Sequence, residues 1–201
     1  MKRNKQKITE KGLIKYRKIA RISAKLFHDK GYLETSLGDI ADATKISKGG
    51  LYYYFSSKQE TLHCILKNYM DGYLENLKST LDSIDDNSSK LRYIVSHHIK
   101  YYNDNLYESK ILVDEVHRLP PKERNAITEK EIAFFRDVVT ILSNLSDRHI
   151  EPERLKVAAF CLFGMCNWLY HWYNPRGPVS PSELSEMIYN IFTEGFLRGG
   201  R

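Results

Sequence analysis

The 201-residue chain is long enough to bury a hydrophobic core without disulfide or metal cross-links, and it carries a formal net charge of +6. Its three cysteines, Cys64, Cys161 and Cys166, form no CxxC pair, which indicates reduced thiols and a cytoplasmic protein. No apolar run reaches membrane-spanning length and none follows the basic N-terminus, so we expect neither membrane insertion nor a secretory signal.

The positive charge is concentrated near the N-terminus. Residues 1–60 hold 14 Lys and Arg against 6 Asp and Glu, whereas residues 61–201 hold 17 against 19. This asymmetry is typical of a nucleic-acid-binding head, here with a basic tail over residues 1–9, joined to a body that binds something else. Basic tails also occur in other kinds of protein, so charge alone favours nucleic acid only weakly.

Helical periodicity runs through nearly the whole chain. In chain order we predict helices, about nine in all, over residues 13–30, 36–43, 47–54, 57–81, 89–106, 109–118, 122–145, 152–173 and 181–197. Capping-box patterns at Ser57 with Glu60 and at Ser180 with Glu183 mark two of the helix starts. The prediction is an all-α fold, with a three-helix N-terminal domain over residues 1–60 and a helical domain over residues 61–201.

Within the head, two short helices joined by a turn are expected to pack on the first, longer helix. Ser47 would cap the second of them, which leaves its first amides free to face a phosphate. Lys48, Gly49 and Gly50 would then form its first turn, where a recognition helix meets base edges in the major groove.

Three consecutive tyrosines follow in the same helix. The hydroxyls of Tyr52, Tyr53 and Tyr54 point at successive angles, so at least one should reach a phosphate, and Lys58 would add a charge-assisted contact. The alternative is that this run forms the core of a small helical bundle, and we accept that interpretation for Leu51 and Phe55.

This segment resembles the signature of the TetR family of regulators. The matching residues are Thr35, Ser36, Ile40, Ala41, Ser47, Gly49, Leu51, Tyr52, Tyr54, Phe55, Ser57 and Lys58. The resemblance implies a helix-turn-helix head that binds a double-stranded DNA operator. Together, the candidates for contacting DNA are Thr35, Ser36, Lys45, Ser47, Lys48, Gly49, Gly50, Tyr52, Tyr53, Tyr54 and Lys58.

Two positions depart from the family pattern. Lys45 stands where a glycine commonly relieves a left-handed backbone, so keeping that geometry would cost about 1 kcal/mol. The lysine could instead add a phosphate contact. Gly50 stands where many members have Thr or Ser, which removes a hydroxyl that could read a base.

The C-terminal part of the body has more apolar surface than its own fold can cover. Residues 157–172 are apolar on almost all sides. The final helix adds an apolar stripe formed by Leu184, Met187, Ile188, Ile191, Phe192 and Phe196. The resemblance implies a homodimer through the last two helices, which would place two heads on half-sites about 34–36 Å apart.

The body also holds aromatic and polar residues suited to a small-molecule site. The effector candidates are Tyr101, Glu115, His117, Phe134, Phe163, Asn167, Trp168, Trp172 and Arg176. Residues 167–178 resemble the corresponding block of TetR-family regulators of fatty-acid and sterol catabolism that respond to acyl-CoA thioesters. That resemblance implies an acyl channel beside the two tryptophans, with the arginine meeting CoA phosphates.

Purely structural interpretations of these residues stay open. Any one of them could belong to the core or to the dimer interface, and Arg176 could be a solvated loop residue. A metal site formed by His97, His98, Glu115 and His117 is disfavoured, because adjacent helical histidines point about 100° apart. No cofactor is expected.

The sequence therefore predicts a ligand-responsive DNA-binding regulator. Its most economical form is a repressor released from a palindromic operator by a small hydrophobic effector, of which an acyl-CoA thioester is one candidate. The alternatives are a ligand-independent DNA-binding protein and a small helical enzyme. The enzyme is disfavoured because the chain contains no P-loop, GxSxG or HExxH motif.

Overall fold

The computed structural model describes residues 9–75, 77–145 and 149–197, and the regular structure within them is helical throughout. The α-helices are α1 Glu10–Lys30, α2 Leu37–Thr44, α3 Lys48–Tyr54, α4 Lys58–Leu74, α5 Leu77–Asp82, α6 Asn87–Asp104, α7 Leu106–Glu115, α8 Pro121–Leu145, α9 Pro152–Asn167 and α10 Pro181–Phe192. Short 3-10 turns follow α7 at Val116–Arg118 and α9 at Trp168–His171, and a π-helical turn follows α10 at Thr193–Leu197. The all-α class is confirmed. The predicted basic tail, apart from Thr9, lies outside the described residues.

The single helix predicted over residues 57–81 was wrong. α4 ends at Leu74 and α5 begins at Leu77. The apolar spacing of Tyr73, Leu77 and Leu81 continues across this break, so periodicity could not reveal it. The nearest glycine, Gly72, lies inside α4 and does not mark the break either.

The capping box predicted at the start of α4 forms only in part. The amide of Glu60 donates to Ser57 Oγ at 3.0 Å, as expected. The Glu60 carboxylate, however, accepts hydrogen bonds from the amide and the hydroxyl of Ser56, at 2.8 and 2.7 Å. The carboxylate is thus bound by the residue before the predicted cap.

The helix predicted over residues 152–173 was also too long. α9 ends at Asn167, and the chain then tightens into the 3-10 turn, whose Leu169 is buried. The apolar run continues through that turn, so composition does not separate the two helix types. At the start of α10, by contrast, Ser180 and Glu183 exchange both hydrogen bonds of the predicted capping box.

The chain forms two compact units. The first, called the head unit, contains the described residues up to Tyr69 together with Tyr107–Asn125. The second, called the body unit, contains Met70–Leu106 and the described residues from Ala126 onward. These units describe packing, and the functional division at residue 60 stays a prediction.

Each unit has its own buried apolar residues. In the head unit they include Ile19, Ala24, Phe27, Ile40, Leu51, Phe55, Leu62, Ile65, Leu66 and Ile111. In the body unit, α6 packs extensively along α10. Arg92 of α6 lies 4.1 Å from the ring centroid of Tyr189 and pairs with Glu186. Among the described residues, no helix has the length and apolar character needed to cross a membrane.

Candidate nucleic-acid interface and effector site

The turn between α1 and α2 uses the side chains of two predicted DNA-contacting residues. Thr35 is buried, and its hydroxyl donates to Gly31 O at 2.7 Å. Ser36 caps α2 by accepting from the Asp39 amide at 3.1 Å, while its own amide donates to the Asp39 carboxylate at 2.7 Å. The hydrogen bonds from Ser36, together with Lys30, hold the pKa of Asp39 well below its usual range. Both hydroxyls therefore take part in holding this turn.

Lys45 adopts the left-handed conformation in the turn between α2 and α3. Its φ is 56° and its ψ is 39°. Its amide donates to Asp42 O at 3.2 Å, and the amide of Ile46 donates to Ala41 O at 3.0 Å, so the turn closes α2 as a C-cap. The lysine has kept the glycine-like backbone, and its side chain is exposed.

α3 presents its first turn to solvent. Ser47 caps the helix by accepting from the Gly50 amide at 3.1 Å, and Lys48 and Gly49 are exposed. A β-carbon at Gly49 would meet no atom within 4 Å, whereas one at Gly50 would lie 2.8 Å from Ile46 Cγ2. The packing of Ile46 therefore explains why Gly50 carries no side chain.

The tyrosine run of α3 divides between surface and interior. Tyr52 is 50% exposed and Tyr53 is 65% exposed. Tyr54 is half-buried, with its ring edge-on to Tyr53 at 5.1 Å between centroids. Leu51 and Phe55 are fully buried. The helical turn that buries Leu51 and Phe55 therefore points the rings of Tyr52 and Tyr53 toward solvent.

Lys58, the first residue of α4, points toward the protein. Its Nζ donates to Tyr32 O at 2.7 Å and to Leu33 O at 3.0 Å. The ammonium group that the sequence assigned to a phosphate thus has two backbone partners in the head unit.

Several effector candidates meet in the body unit around one tyrosine that sequence reasoning missed. Tyr73, near the end of α4, packs edge-on or tilted against four rings at centroid distances of 5.1–5.6 Å, those of His97, His98, Tyr101 and Phe134. Phe163 adds contacts to Phe134 at 5.6 Å and to His98 at 5.9 Å. We call these six residues the aromatic cluster. No motif marks Tyr73 in the sequence.

A chain of hydrogen bonds runs through the aromatic cluster. His98 Nδ1 lies 3.0 Å from the Tyr73 hydroxyl, and His98 Nε2 lies 2.9 Å from Asn167 Oδ1. Burial lowers the pKa of His98 to about 4, so the imidazole is neutral near pH 7 and has one N–H. Because Asn167 Oδ1 can only accept, Nε2 donates to it and Nδ1 accepts from Tyr73.

The remaining effector candidates lie elsewhere. Glu115 pairs with Arg118 in the head unit, where His117 is exposed. Trp172 and Arg176 are exposed in the body unit, and the exposed ring of Trp168 packs on His171 at 3.9 Å. Across the part of the chain that the structure describes, no three His, Cys, Asp or Glu residues are grouped so as to hold a metal ion.

The body unit also exposes apolar side chains on α9, on the 3-10 turn after it and on α10. Five large side chains on it are more than half exposed, namely Val157, Phe160, Trp168, Met187 and Ile191. Between the two helices lies a groove of about 540 Å³, lined by Val157, Ala158, Cys161, Met165, Ile191 and Phe192 and bordered by Glu153 and Arg154. We call the five exposed residues and this groove the α9–α10 surface. Exposed apolar side chains beside an apolar groove are typical of a protein–protein contact.

Two family models match the chain. One, described as bacterial regulatory proteins of the tetR family, matches residues 19–63. The other, described as a tetracyclin repressor-like C-terminal domain, matches residues 85–196. Together they cover the helix-turn-helix and most of the body.

Known proteins resemble the chain over nearly its full length. A TetR-family transcriptional regulator from Bordetella parapertussis 12822 is 31% identical with a TM-score of 0.85, over 91% of this chain and 96% of that one. AibR, solved in complex with isovaleryl coenzyme A and operator DNA, is 27% identical with a TM-score of 0.78, over 88% and 97%. The HTH-type transcriptional repressor KstR2 of Rhodococcus jostii (strain RHA1) is 25% identical over 87% of each chain.

Proposed function

We propose, since the chain belongs to the TetR family of bacterial transcriptional regulators, that it is a dimeric repressor released from a palindromic operator by an acyl-CoA thioester. The family consists of regulators rather than enzymes. The observation that carries the DNA-binding part is the solvent-facing side of α3, with its exposed first turn and its two outward phenol rings.

The roles proposed on this surface follow from side-chain chemistry. Lys48 and Gly49, in the first turn of α3, would meet base edges, the lysine as a donor to guanine and the glycine by close backbone approach. Tyr52 and Tyr53 would donate to phosphate oxygens and fix the register on the duplex. Lys45, which is exposed in the turn between α2 and α3, would add a phosphate contact.

The α9–α10 surface is proposed as the dimer interface. Its large side chains are half to two-thirds exposed, and burial of the exposed part of each would contribute roughly 1–2 kcal/mol. A second copy would bring the same surface, as a twofold interface requires. Dimerisation matters for function because a single head makes too small a contact for a specific operator.

The aromatic cluster is proposed as the wall of the effector site. It combines apolar rings with one neutral hydrogen-bonding chain from Tyr73 through His98 to Asn167. The rings suit an uncharged acyl chain, and its carbonyl oxygen would accept from the NH2 group of Asn167, since the Tyr73 and His98 protons lie within the internal chain. The likeness to AibR, whose structure contains isovaleryl coenzyme A, supports a short-chain thioester as the first compound to test. Glu115 and His117, which belong to the head unit, are left out of this proposal.

The experiment has two steps. Purified protein first captures fragments from its own genome, and the enriched sequence is then used as a labelled duplex in fluorescence anisotropy. We expect isovaleryl-CoA or a related thioester to raise Kd at least about tenfold, whereas free CoA should not. Failure to enrich any fragment would refute DNA binding. Unchanged Kd with every thioester would refute the acyl-CoA effector and leave DNA binding intact.

A further inference from the structure

The environment of Lys58 differs from that of a lysine available to a phosphate. Two of its three ammonium protons point at the carbonyl oxygens of Tyr32 and Leu33, at 2.7 and 3.0 Å. The same nitrogen lies 4.5 Å from the centroid of the Tyr32 ring, within cation–π range. The carbonyl and the ring of Tyr32, together with the carbonyl of Leu33, therefore stabilise the charge of Lys58.

The carbonyls that Lys58 binds belong to the turn that sets the start of α2. Gly31 ends α1 with a φ of 94°, and Thr35 returns a hydrogen bond to its carbonyl. Ser36 then caps α2. A cation just beyond the C-terminal end of α1 also complements the helix dipole. Lys58 therefore stabilises the loop that orients the first helix of the helix-turn-helix.

Tyr32 links this lysine to a more distant part of the head unit. Its ring is buried, and the guanidinium carbon of Arg118 lies 5.8 Å from the ring centroid. Arg118 is held by an ion pair with Glu115, and its carbonyl accepts from Gln59 Nε2 at 3.5 Å. One tyrosine ring is thus contacted by two cations, from the start of α4 and from the turn after α7.

We infer that Lys58 is a positioning residue of the DNA-binding head rather than a phosphate ligand, acting with Tyr32 and Arg118 to fix the α1–α2 turn. Moving its ammonium to a phosphate would leave two carbonyl oxygens without their donor and remove a cation from the Tyr32 ring. The inference rests on the proposed DNA binding for its functional meaning. The internal contact itself can be tested without DNA.

The first test measures thermal stability in the absence of DNA. Lys58→Met keeps the aliphatic stem and removes the charge, and Lys48→Met makes the same change at an exposed position on α3. A positioning role predicts that Lys58→Met lowers Tm by at least about 3 °C while Lys48→Met leaves it unchanged. An equal Tm for Lys58→Met and the unmodified protein would overturn the inference, whether or not the protein binds DNA.

The second test measures the salt dependence of operator binding, well below the Tm of every variant. Each lysine on a phosphate contributes about 0.9 to the slope of log Kd against log salt concentration, or about 1.8 for two heads. Lys45→Met, at the proposed phosphate contact, should weaken binding and lower the slope by about 1.8. Lys58→Met should weaken binding about tenfold at an unchanged slope. A slope lowered by about 1.8 in Lys58→Met would identify a phosphate contact and overturn the inference.

A third variant covers the case in which Lys58→Met does not fold. Lys58→Arg retains the charge, but its planar guanidinium cannot occupy the same point between the two carbonyls. We expect Kd to rise at least about fivefold at an unchanged salt slope. Binding equal to that of the unmodified protein would show that only the charge matters, and would overturn the positioning role.

Discussion

Ile46 occupies the space that a side chain at Gly50 would need. A β-carbon built at Gly50 lies 2.8 Å from Ile46 Cγ2 and 3.2 Å from Ser47 Oγ, and the first distance is too short for carbon atoms in contact. Since Ile46 is branched at its β-carbon, its γ2 methyl group cannot move away without a change of rotamer. The α2–α3 turn and α3 are therefore packed against each other at this point.

Gly50→Ala should destabilise the protein by about 1–3 kcal/mol through this overlap. Gly49→Ala is the matched control, because a β-carbon there meets nothing within 4 Å and alanine favours the helix. Urea denaturation of both variants measures the difference. If Gly50→Ala proved as stable as Gly49→Ala, the close packing of Ile46 would be disproved.

Lys45→Gly should raise the free energy of unfolding by about 1 kcal/mol. The lysine holds a φ of 56°, which costs an L residue strain that glycine avoids. Lys48→Gly removes the same charge from a helical position, and there we expect a loss of similar size. In chemical denaturation, a higher free energy of unfolding for Lys45→Gly and a lower one for Lys48→Gly would support backbone strain at Lys45. A loss at both positions would contradict it.

Stability should fall as the pH drops from about 7 to about 5, because of His98. Burial depresses its pKa in the folded state to about 4, whereas the unfolded chain takes up the proton near pH 6.5. Acidification in this window therefore stabilises the unfolded state, and the expected loss is on the order of 2 kcal/mol. The loss is complete only once the pH falls below about 4.

His98→Gln isolates this contribution, because glutamine can form hydrogen bonds but does not titrate in this range. Urea denaturation at the two pH values should show a smaller loss for the variant than for the unmodified protein. The same loss in both proteins would assign the pH dependence to other groups.

Ile191→Asp should convert the proposed dimer into a monomer. The substitution places a charge on the α9–α10 surface, where burial against a second copy would leave it unpaired. Val113→Asp makes a comparable change at another half-exposed apolar residue, on α7, and should leave the dimer intact. Sedimentation velocity distinguishes the species. Dimers that persist in Ile191→Asp would place the interface elsewhere.

Local signals in the sequence were sufficient for much of the head and for the start of α10. Ser36, Ser47 and Ser180 were identified as caps or helix starts because a capping hydroxyl and its amide are only three residues apart. Leu51 and Phe55 were assigned to the core by their helical spacing, and both are buried. The left-handed backbone at Lys45 agrees with the TetR-family pattern, in which a glycine commonly stands at this position.

The features that could not be predicted depend on partners distant in the sequence. Lys58 binds carbonyls 25 and 26 residues earlier, a distance that no capping or periodicity rule spans. The ring of Tyr73 contacts rings on α6 and α8. In the sequence, the residues around Tyr73 on α4 give no sign of these contacts. Glu115 and His117 were effector candidates by residue type alone, and nothing local in the sequence showed that both belong to the head unit.

The head unit is assembled from two separate stretches of chain, the residues up to Tyr69 and Tyr107–Asn125. A chimera made by replacing only the N-terminal stretch with that of a related regulator would therefore have an incomplete head unit. In it, the Arg118 that contacts the Tyr32 ring would not come from the same protein as that ring. A chimera that retains the native packing needs a double exchange that also carries α7 and the turn after it. The same constraint applies to recombination between such genes, which would preserve this packing only when both stretches move together.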